Sequence, residues 1–233
     1  VFNDSNSINV KLISPNIDLN YNLTIDGAKQ TLKKLIKYSD PEKDKSTVFI
    51  WPEGVFTGYS FDEISQFKNM IKTSFSKKHI IIFGINKSKN NSENFNSLLA
   101  INNDFEILYQ YNKKKLVPFG EFLPAEKFFN KFGLKKITQG YTSFAKGQNQ
   151  DNLIINNLNI LPLICYEIIF PELIRNHNPD TNLIVNISED AWFGGSIGPQ
   201  QHFAKAIFRS IESNTYLVRA ANQGISAFMD NKG

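Results

Sequence analysis

Four short runs in this chain are apolar along almost their whole length: "STVFIWPE" (46–53), "HIIIFGIN" (79–86), "NLIINNLNILPLIC" (152–165) and "NLIVNIS" (182–188). A strand with one face in water alternates polar and apolar residues. Continuous β-branched runs of this length belong to strands buried on both faces, and a sheet built from them must be covered by further layers. The chain supplies the covers. Ile25, Ala28, Leu32, Leu35 and Ile36 recur at helical spacing, as do Ile64, Phe67 and Ile71, and later Phe203, Ala204, Ile207, Phe208 and Ile211. The fold class is therefore α/β, with buried strands in sheets covered by helices.

The remaining segments fit that frame. "INVKLISPNI" (8–17) is predicted as a first strand, and "SLLAIN" (97–102) with "FEILYQY" (105–111) as an antiparallel pair turning at "NND". Residues 152–165 are predicted as a hairpin around Asn156-Asn157, and a short helix is predicted from about residue 171, with Pro171 near its first position. "TYLVRAA" and "GISAFMD" close the chain as two strands. Residues 112–150 have no clean period, and long structured loops in compact domains are usually functional. There is no internal repeat and no linker-like boundary, so residues 1–233 are expected to form a single domain. The chain opens "VFNDSNS" without an initiator Met and closes on "FMDNKG", which leads us to expect a fragment of a longer protein.

Composition excludes little. With 41% hydrophobic and 21% charged residues, the 233-residue chain is an ordinary folded sequence. The net charge of +4 is mild and its lysines are scattered, apart from Lys113–Lys115, so no nucleic-acid partner is expected. A single cysteine, Cys165, forbids an internal disulfide.

That cysteine carries the question of function. A lone Cys is more often a small core residue than a nucleophile. Cys165, however, stands where an apolar strand ends and a helix is about to begin, the kind of junction that exposes a side chain above a sheet edge. A thiol there needs a base and a cation to act. His79 opens a buried strand and His177 lies in a polar loop, which leaves both in structural or solvated roles. His202, in "GPQQHF", is the better histidine. A carboxylate is the other option. Glu53 ends a buried strand directly after Pro52, an odd place for a surface Glu, and Lys113 follows another strand, although a solvated triple lysine is the plainer reading of it.

Taken together, "WPE" (51–53), "YNKKKLVPFGEFLP" (111–124) and "CYE" (165–167) resemble the nitrilase, or carbon–nitrogen hydrolase, superfamily. "SPNI", "LVPFGEFLP", "CYEIIFPEL" and "DAWFGGSIGPQQH" resemble more narrowly its bacterial apolipoprotein N-acyltransferase branch, and the likeness runs along essentially the whole chain. The resemblance implies an αββα sandwich. It implies Glu53 as general base, Lys113 as the cation on the oxyanion and Cys165 as nucleophile, with Glu121 supporting the lysine and Tyr166 and Glu167 also important. It implies acyl transfer from a phospholipid donor, through a thioester on Cys165, to the N-terminal amine of a diacylglyceryl-modified apolipoprotein, with no metal or organic cofactor. The implied place is the outer face of a bacterial cell (inner) membrane, on the periplasmic side. The alternative is a soluble amidase or nitrilase with the same three residues; a catalytically dead binding domain is a third reading. Two departures stand out. Glu189 occupies a position where the family usually has Asn, and Tyr21 is the nearest aromatic to where members often carry Trp.

One further expectation rests on the residues themselves. In 121–144, Phe128, Phe129, Phe132 and Leu134 interleave with Lys127, Lys131, Lys135 and Lys136. Apolar groups flanked by ammonium groups suit a membrane surface, so this stretch is expected to be a membrane-facing lid. "RSIESN" (209–214) is expected to be scaffold, with Arg209 and Glu212 paired.

Overall fold

The computed structural model describes residues 8–89, 93–122, 143–148, 151–175 and 178–233. Its first sheet has the order β1 (Asn9–Leu12), β2 (Thr47–Ile50), β3 (His79–Lys89), β4 (Glu93–Ile101) and β5 (Ile107–Asn112). Its second has the order β10 (Ala227–Met229), β9 (Tyr216–Asn222), β8 (Leu183–Glu189), β7 (Leu158–Ile164) and β6 (Leu153–Ile155). Each sheet has a parallel core, β1–β2–β3 in one and β7–β8–β9 in the other, extended by antiparallel strands.

Period-two alternation divides each buried strand between two layers. On β2, Val48 and Ile50 point at the second sheet and meet Ile164, Val185, Ile187 and Val218 in the central core. Phe49, and Trp51 just past the strand, point the other way, into a core with Ala28, Leu32 and Leu35 of α1 (Ile25–Ser39). On β7, Ile160 and Ile164 face the first sheet while Leu161 and Leu163 pack with Ala206 and Ile207 of α5 (Gly198–Ser213). The molecule is therefore an α–β–β–α sandwich, and the runs read as continuously apolar because both faces of each sheet are covered.

The second helical segment differs from the sequence expectation of one continuous helix. It is broken into α2 (Phe61–Ile64), a 3₁₀ turn (Ser65–Phe67) and α3 (Lys68–Ser74). A capping box between Ser60 and Glu63 closes the first turn. The Ser65 hydroxyl and the Gln66 amide then donate to the carbonyls of Asp62 and Glu63, which a longer helix would need for its own ladder. The first strand is also shorter than expected, ending at Leu12. The Asn156-Asn157 hairpin and the β4–β5 pair form as expected, with Asn156 at φ +52° in the tight turn. α4 (Glu172–Arg175) follows Pro171.

Strand ends matter most for function. β2, β5, β7 and β8 all finish at the same edge of the sandwich, and the polar residues that follow them line one cavity. Gly84 on β3 allows this approach: a Cβ there would lie 2.9 Å from the Glu53 Cα and 3.0 Å from Ile187.

Candidate active site

The cavity has a volume of about 390 Å³, and Glu53, Lys113, Glu121, Cys165, Tyr166 and Glu189 all line it. Cys165 begins a 3₁₀ turn directly after β7, with φ +49°. A left-handed backbone at a non-glycine residue is costly, and it turns the chain sharply enough to lift the thiol off the strand end. The elbow is held by buried polar groups. The Glu167 carboxylate accepts from the backbone N–H of Ile164 at 2.8 Å, and the His202 Nε2 lies 3.1 Å from the Cys165 carbonyl oxygen.

His202 is therefore not placed as a base for the thiol. One ring nitrogen faces that carbonyl, and the other, Nδ1, lies 3.1 Å from Asp190 Oδ1 and 3.1 Å from an Arg219 nitrogen. Since a carbonyl only accepts, Nε2 carries the proton that it donates. Arg219 in turn donates to both Asp190 oxygens and to the side-chain oxygen of Asn186. Asp190 is held below the usual carboxylate range: burial pushes it up, but His202 and Arg219 outweigh that. This buried network fixes the elbow from below.

Lys113 sits just past β5 with its side chain 1% exposed. Its ammonium donates to Glu121 Oε1 at 2.8 Å and lies 3.8 Å from Glu53 Oε1. Burial pulls the lysine down, but Glu121 and then Glu53 more than reverse this and hold it above its ordinary range. Glu121 is held low despite burial by Lys113, by the Val117 N–H and by Asn96. The Asn96 amide bridges both carboxylates, 2.7 Å from Glu53 Oε1 and 2.8 Å from Glu121 Oε1, and the Glu189 N–H donates to Glu53 Oε2 at 3.1 Å. Glu53 is thus oriented through both oxygens.

The thiol of Cys165 is pushed up to about 12, first by burial and then by the Glu53 charge, while Lys113 and a hydrogen bond from Ser188 pull it down. The resting group is therefore a thiol, and a reaction at this sulfur requires its proton to leave as the new bond forms. Tyr166 is half-buried and packs edge-on against Phe170 at 5.1 Å. Glu167 does not reach the cavity; it is wholly buried, raised by burial against the N–H groups that bind it. Arg209 and Glu212 pair at 2.9 Å on α5, away from the cavity lining.

Residues 123–142 of the expected lid, with Phe128, Phe129 and Phe132, and His177 lie outside the described residues. Among the described residues, no group of three or more His, Cys, Asp or Glu side chains is arranged to hold a metal ion, and no helix is long and apolar enough to cross a membrane.

Asn96, Asn186, Ser188, Asp190 and Arg219 were not singled out from the sequence. For the last four a signal was present, since each is a polar residue inside or at the end of a largely apolar strand and a buried polar group must find a partner. Asn96 had none, because "NKSKNNSENFN" (86–96) reads as a solvated loop, whereas the structure runs β3 and β4 into it and buries Asn96 against Glu53.

The fold is that of the carbon–nitrogen hydrolases. The model of that family matches residues 16–233, and the chain belongs to it. Among relatives, the apolipoprotein N-acyltransferase of Allorhizobium ampelinum is 30% identical over 99% of this chain and 45% of its own length. That of Rhodopseudomonas palustris is 33% identical over 97% of this chain and 45% of its own. The chain thus spans about half the length of these relatives. Of solved structures, a CN-hydrolase superfamily protein from Xanthomonas campestris superposes with a TM-score of 0.65 at 17% identity, covering 96% of this chain and 82% of that one. The amidase of Nesterenkonia sp. AN1 superposes with a TM-score of 0.58 at 15% identity, covering 97% and 85%.

Proposed function

We propose that the chain is the catalytic domain of an apolipoprotein N-acyltransferase, part of a longer membrane protein, acting on the periplasmic side of a bacterial inner membrane. The observation that carries the chemistry is the meeting of Glu53, Lys113 and Cys165 in one cavity that apolar groups such as Leu19, Phe56, Ile85 and Val117 also line. The choice of acyl transfer over amide hydrolysis is supported by relatives of that name, which match nearly the whole chain.

In this reading the Cys165 sulfur attacks the ester carbonyl of a phospholipid while Glu53 takes the thiol proton. Lys113 stabilises the oxyanion, an effect typically worth about 3–4 kcal/mol for one well-placed donor. The intermediate collapses to a thioester, and the lysophospholipid oxygen leaves with the proton from Glu53. The α-amine of a diacylglyceryl-cysteine then attacks the thioester, Glu53 takes its proton, and the sulfur leaves and is reprotonated. Glu121 and Asn96 hold Lys113 and Glu53 in place, Tyr166 shapes the cavity wall, and Glu167 fixes the elbow. The stretch 121–144 is assigned to the membrane surface from its alternation of Phe and Lys.

The test is intact-mass analysis of the full-length protein after incubation with phospholipid vesicles, followed by a chase with a diacylglyceryl peptide. An acyl adduct on Cys165 that passes to the peptide amine is the expected result. Absence of the adduct, with turnover of simple amides, would assign the soluble amidase reading instead.

A further inference from the structure

Glu189, which the sequence marked as a departure from the resemblance, takes its place at the site itself. Its side chain is 2% exposed as a residue, yet it lines the cavity beside Glu53. Gly54, at φ +76°, makes room for it: a Cβ there would lie 2.5 Å from Glu189 Oε2. The carboxyl accepts from the Ala191 N–H at 3.0 Å and from the Asn222 amide at 2.7 Å. Both donors are neutral, and among the described residues Glu189 forms no salt bridge. Around the cavity Glu53 and Glu121 share Lys113 within 4 Å and Asp190 has Arg219. The buried Glu167, also without a salt bridge among the described residues, is held by three backbone N–H groups and the Tyr111 hydroxyl, against only two donors for Glu189. A buried carboxylate without a cation is costly unless one arrives with a ligand.

A second observation points to the same ligand. Tyr21 and Trp192 line the same cavity with ring centroids 5.7 Å apart, inclined at 57°. The Tyr21 hydroxyl is buried and has no hydrogen-bond partner among the described residues. Two tilted aromatic faces beside a carboxylate and an unpartnered phenol offer charge, cation–π contact and a hydrogen-bond acceptor to one cationic head.

We propose that Glu189, Tyr21 and Trp192 form a subsite for a primary ammonium group on the wall of the cavity. The assignment rests on the acyl-transfer reading only for the source of that group, which is the α-amine of the acceptor or an ammonium headgroup of the donor lipid. The ammonium supplies the missing positive charge, its N–H groups reach Glu189 and the Tyr21 oxygen, and Trp192 closes over it at the cavity mouth.

The test uses alkylation of Cys165 in the full-length protein by a small thiol reagent, with dodecylamine or dodecanol as protectant. The amine is expected to protect at a concentration at least tenfold below that of the alcohol. Glu189→Gln, normalised to its own unprotected rate, is expected to bring the two together, and Tyr21→Leu to narrow the gap. Equal protection by amine and alcohol in the unmodified protein overturns the proposal even if the Gln variant does not fold, as does a gap that survives Glu189→Gln. This readout needs no acyl transfer, so a protein that never forms an acyl-enzyme sinks the functional reading and leaves the subsite to be judged separately. Where the acyl-enzyme does form, the source is read from two ratios. A headgroup ligand makes Glu189→Gln lower acylation from ethanolamine lipid relative to glycerol lipid. An acceptor ligand makes it lower transfer to the amine relative to acylation, and a variant that alters neither ratio overturns the proposal.

Discussion

The Glu167 carboxylate accepts a 2.7 Å hydrogen bond from the backbone N–H of Lys114. The residue two places after the candidate nucleophile therefore grips the residue one place after the candidate cation. The same carboxylate also takes the N–H groups of Lys115 at 3.1 Å and Ile164 at 2.8 Å, and the Tyr111 hydroxyl at 3.0 Å to each oxygen. One buried anion thus sets the distance between the end of β5 and the elbow after β7. Glu167→Gln has one acceptor oxygen fewer and turns an NH₂ toward at least one buried donor. An unsatisfied buried donor costs about 1–3 kcal/mol, and urea unfolding is expected to show a loss of that size. Turnover is expected to fall further than stability at temperatures where the variant is still folded. Full activity in a folded Gln variant would show that the spacing of Lys113 and Cys165 does not depend on this contact.

Cys165→Ser is expected to abolish acyl transfer while leaving the fold intact. The hydroxyl is a far poorer nucleophile at neutral pH, and Glu53 is a weak base for it. Phospholipid turnover by the Ser variant above trace level would remove Cys165 as the nucleophile.

Much of this arrangement was legible in the sequence, and the parts that were not share a physical cause. That both faces of each sheet are covered followed from runs such as "TVFI" and "LIVNI", because a strand with no polar alternation must be buried on both sides. The order of the four layers came from the resemblance. Glu53 and Cys165 stood out as polar or reactive residues at the ends of apolar runs, whereas a solvated lysine was the plainer reading of Lys113. The grouping of the three came from the family resemblance, and the structure brings them into one cavity. The break in the helix at Ile64 was not, since it depends on side-chain bonds from Ser65 and Gln66 that compete with the backbone. The network of Asn186, Asp190, His202 and Arg219 was not either. Asn186 and Arg219 are cross-strand neighbours on β8 and β9, and His202 comes from α5, so their meeting depends on sheet register and helix packing. His202 drew notice as a histidine near a helix start, and its partner turned out to be the elbow carbonyl.

Glu53→Gln and Lys113→Met are expected to shift the thiol in opposite directions. The Glu53 charge raises the Cys165 thiol and the Lys113 charge lowers it. Removing Glu53 therefore brings the midpoint of pH-dependent alkylation down from about 12, and removing Lys113 moves it up. Both variants are expected to lose acyl transfer by roughly 10²-fold or more, the first for want of a base and the second for want of oxyanion stabilisation. Measuring thioester formation alone separates them from defects in acceptor binding. A Gln variant that acylates at the normal rate would exclude Glu53 as the base, and midpoints that move in the same direction would mean the two groups do not flank the sulfur.

Glu189 makes stability depend on pH in a direction opposite to that of an ordinary paired carboxylate. Its carboxyl is pushed up to about 8 from an ordinary value of 4.5, first by burial and also by the charges of Glu53 and Asp190, against the hydrogen bonds from Asn222 and Ala191 that pull it down. Tyr21, which also faces it, is itself raised to about 12 and stays neutral across this range. Between pH 4.5 and 8 the folded protein keeps a proton that the unfolded chain has lost. With more protons bound in the folded state, the stability conferred by this group falls as pH rises through that window and then levels off. Glu189→Gln removes the titration and leaves a pH-independent offset from the altered hydrogen bonds. Urea unfolding of the two proteins between pH 5 and pH 8 is therefore expected to show their difference moving in favour of the Gln variant, by a few kcal/mol at most. Adding dodecylamine to the unmodified protein is expected to shrink the drift, because an ammonium ion beside the carboxylate stabilises its ionised form. A difference that stays constant with pH would mean that Glu189 is already ionised in the empty cavity, with a cation supplied from elsewhere in the chain.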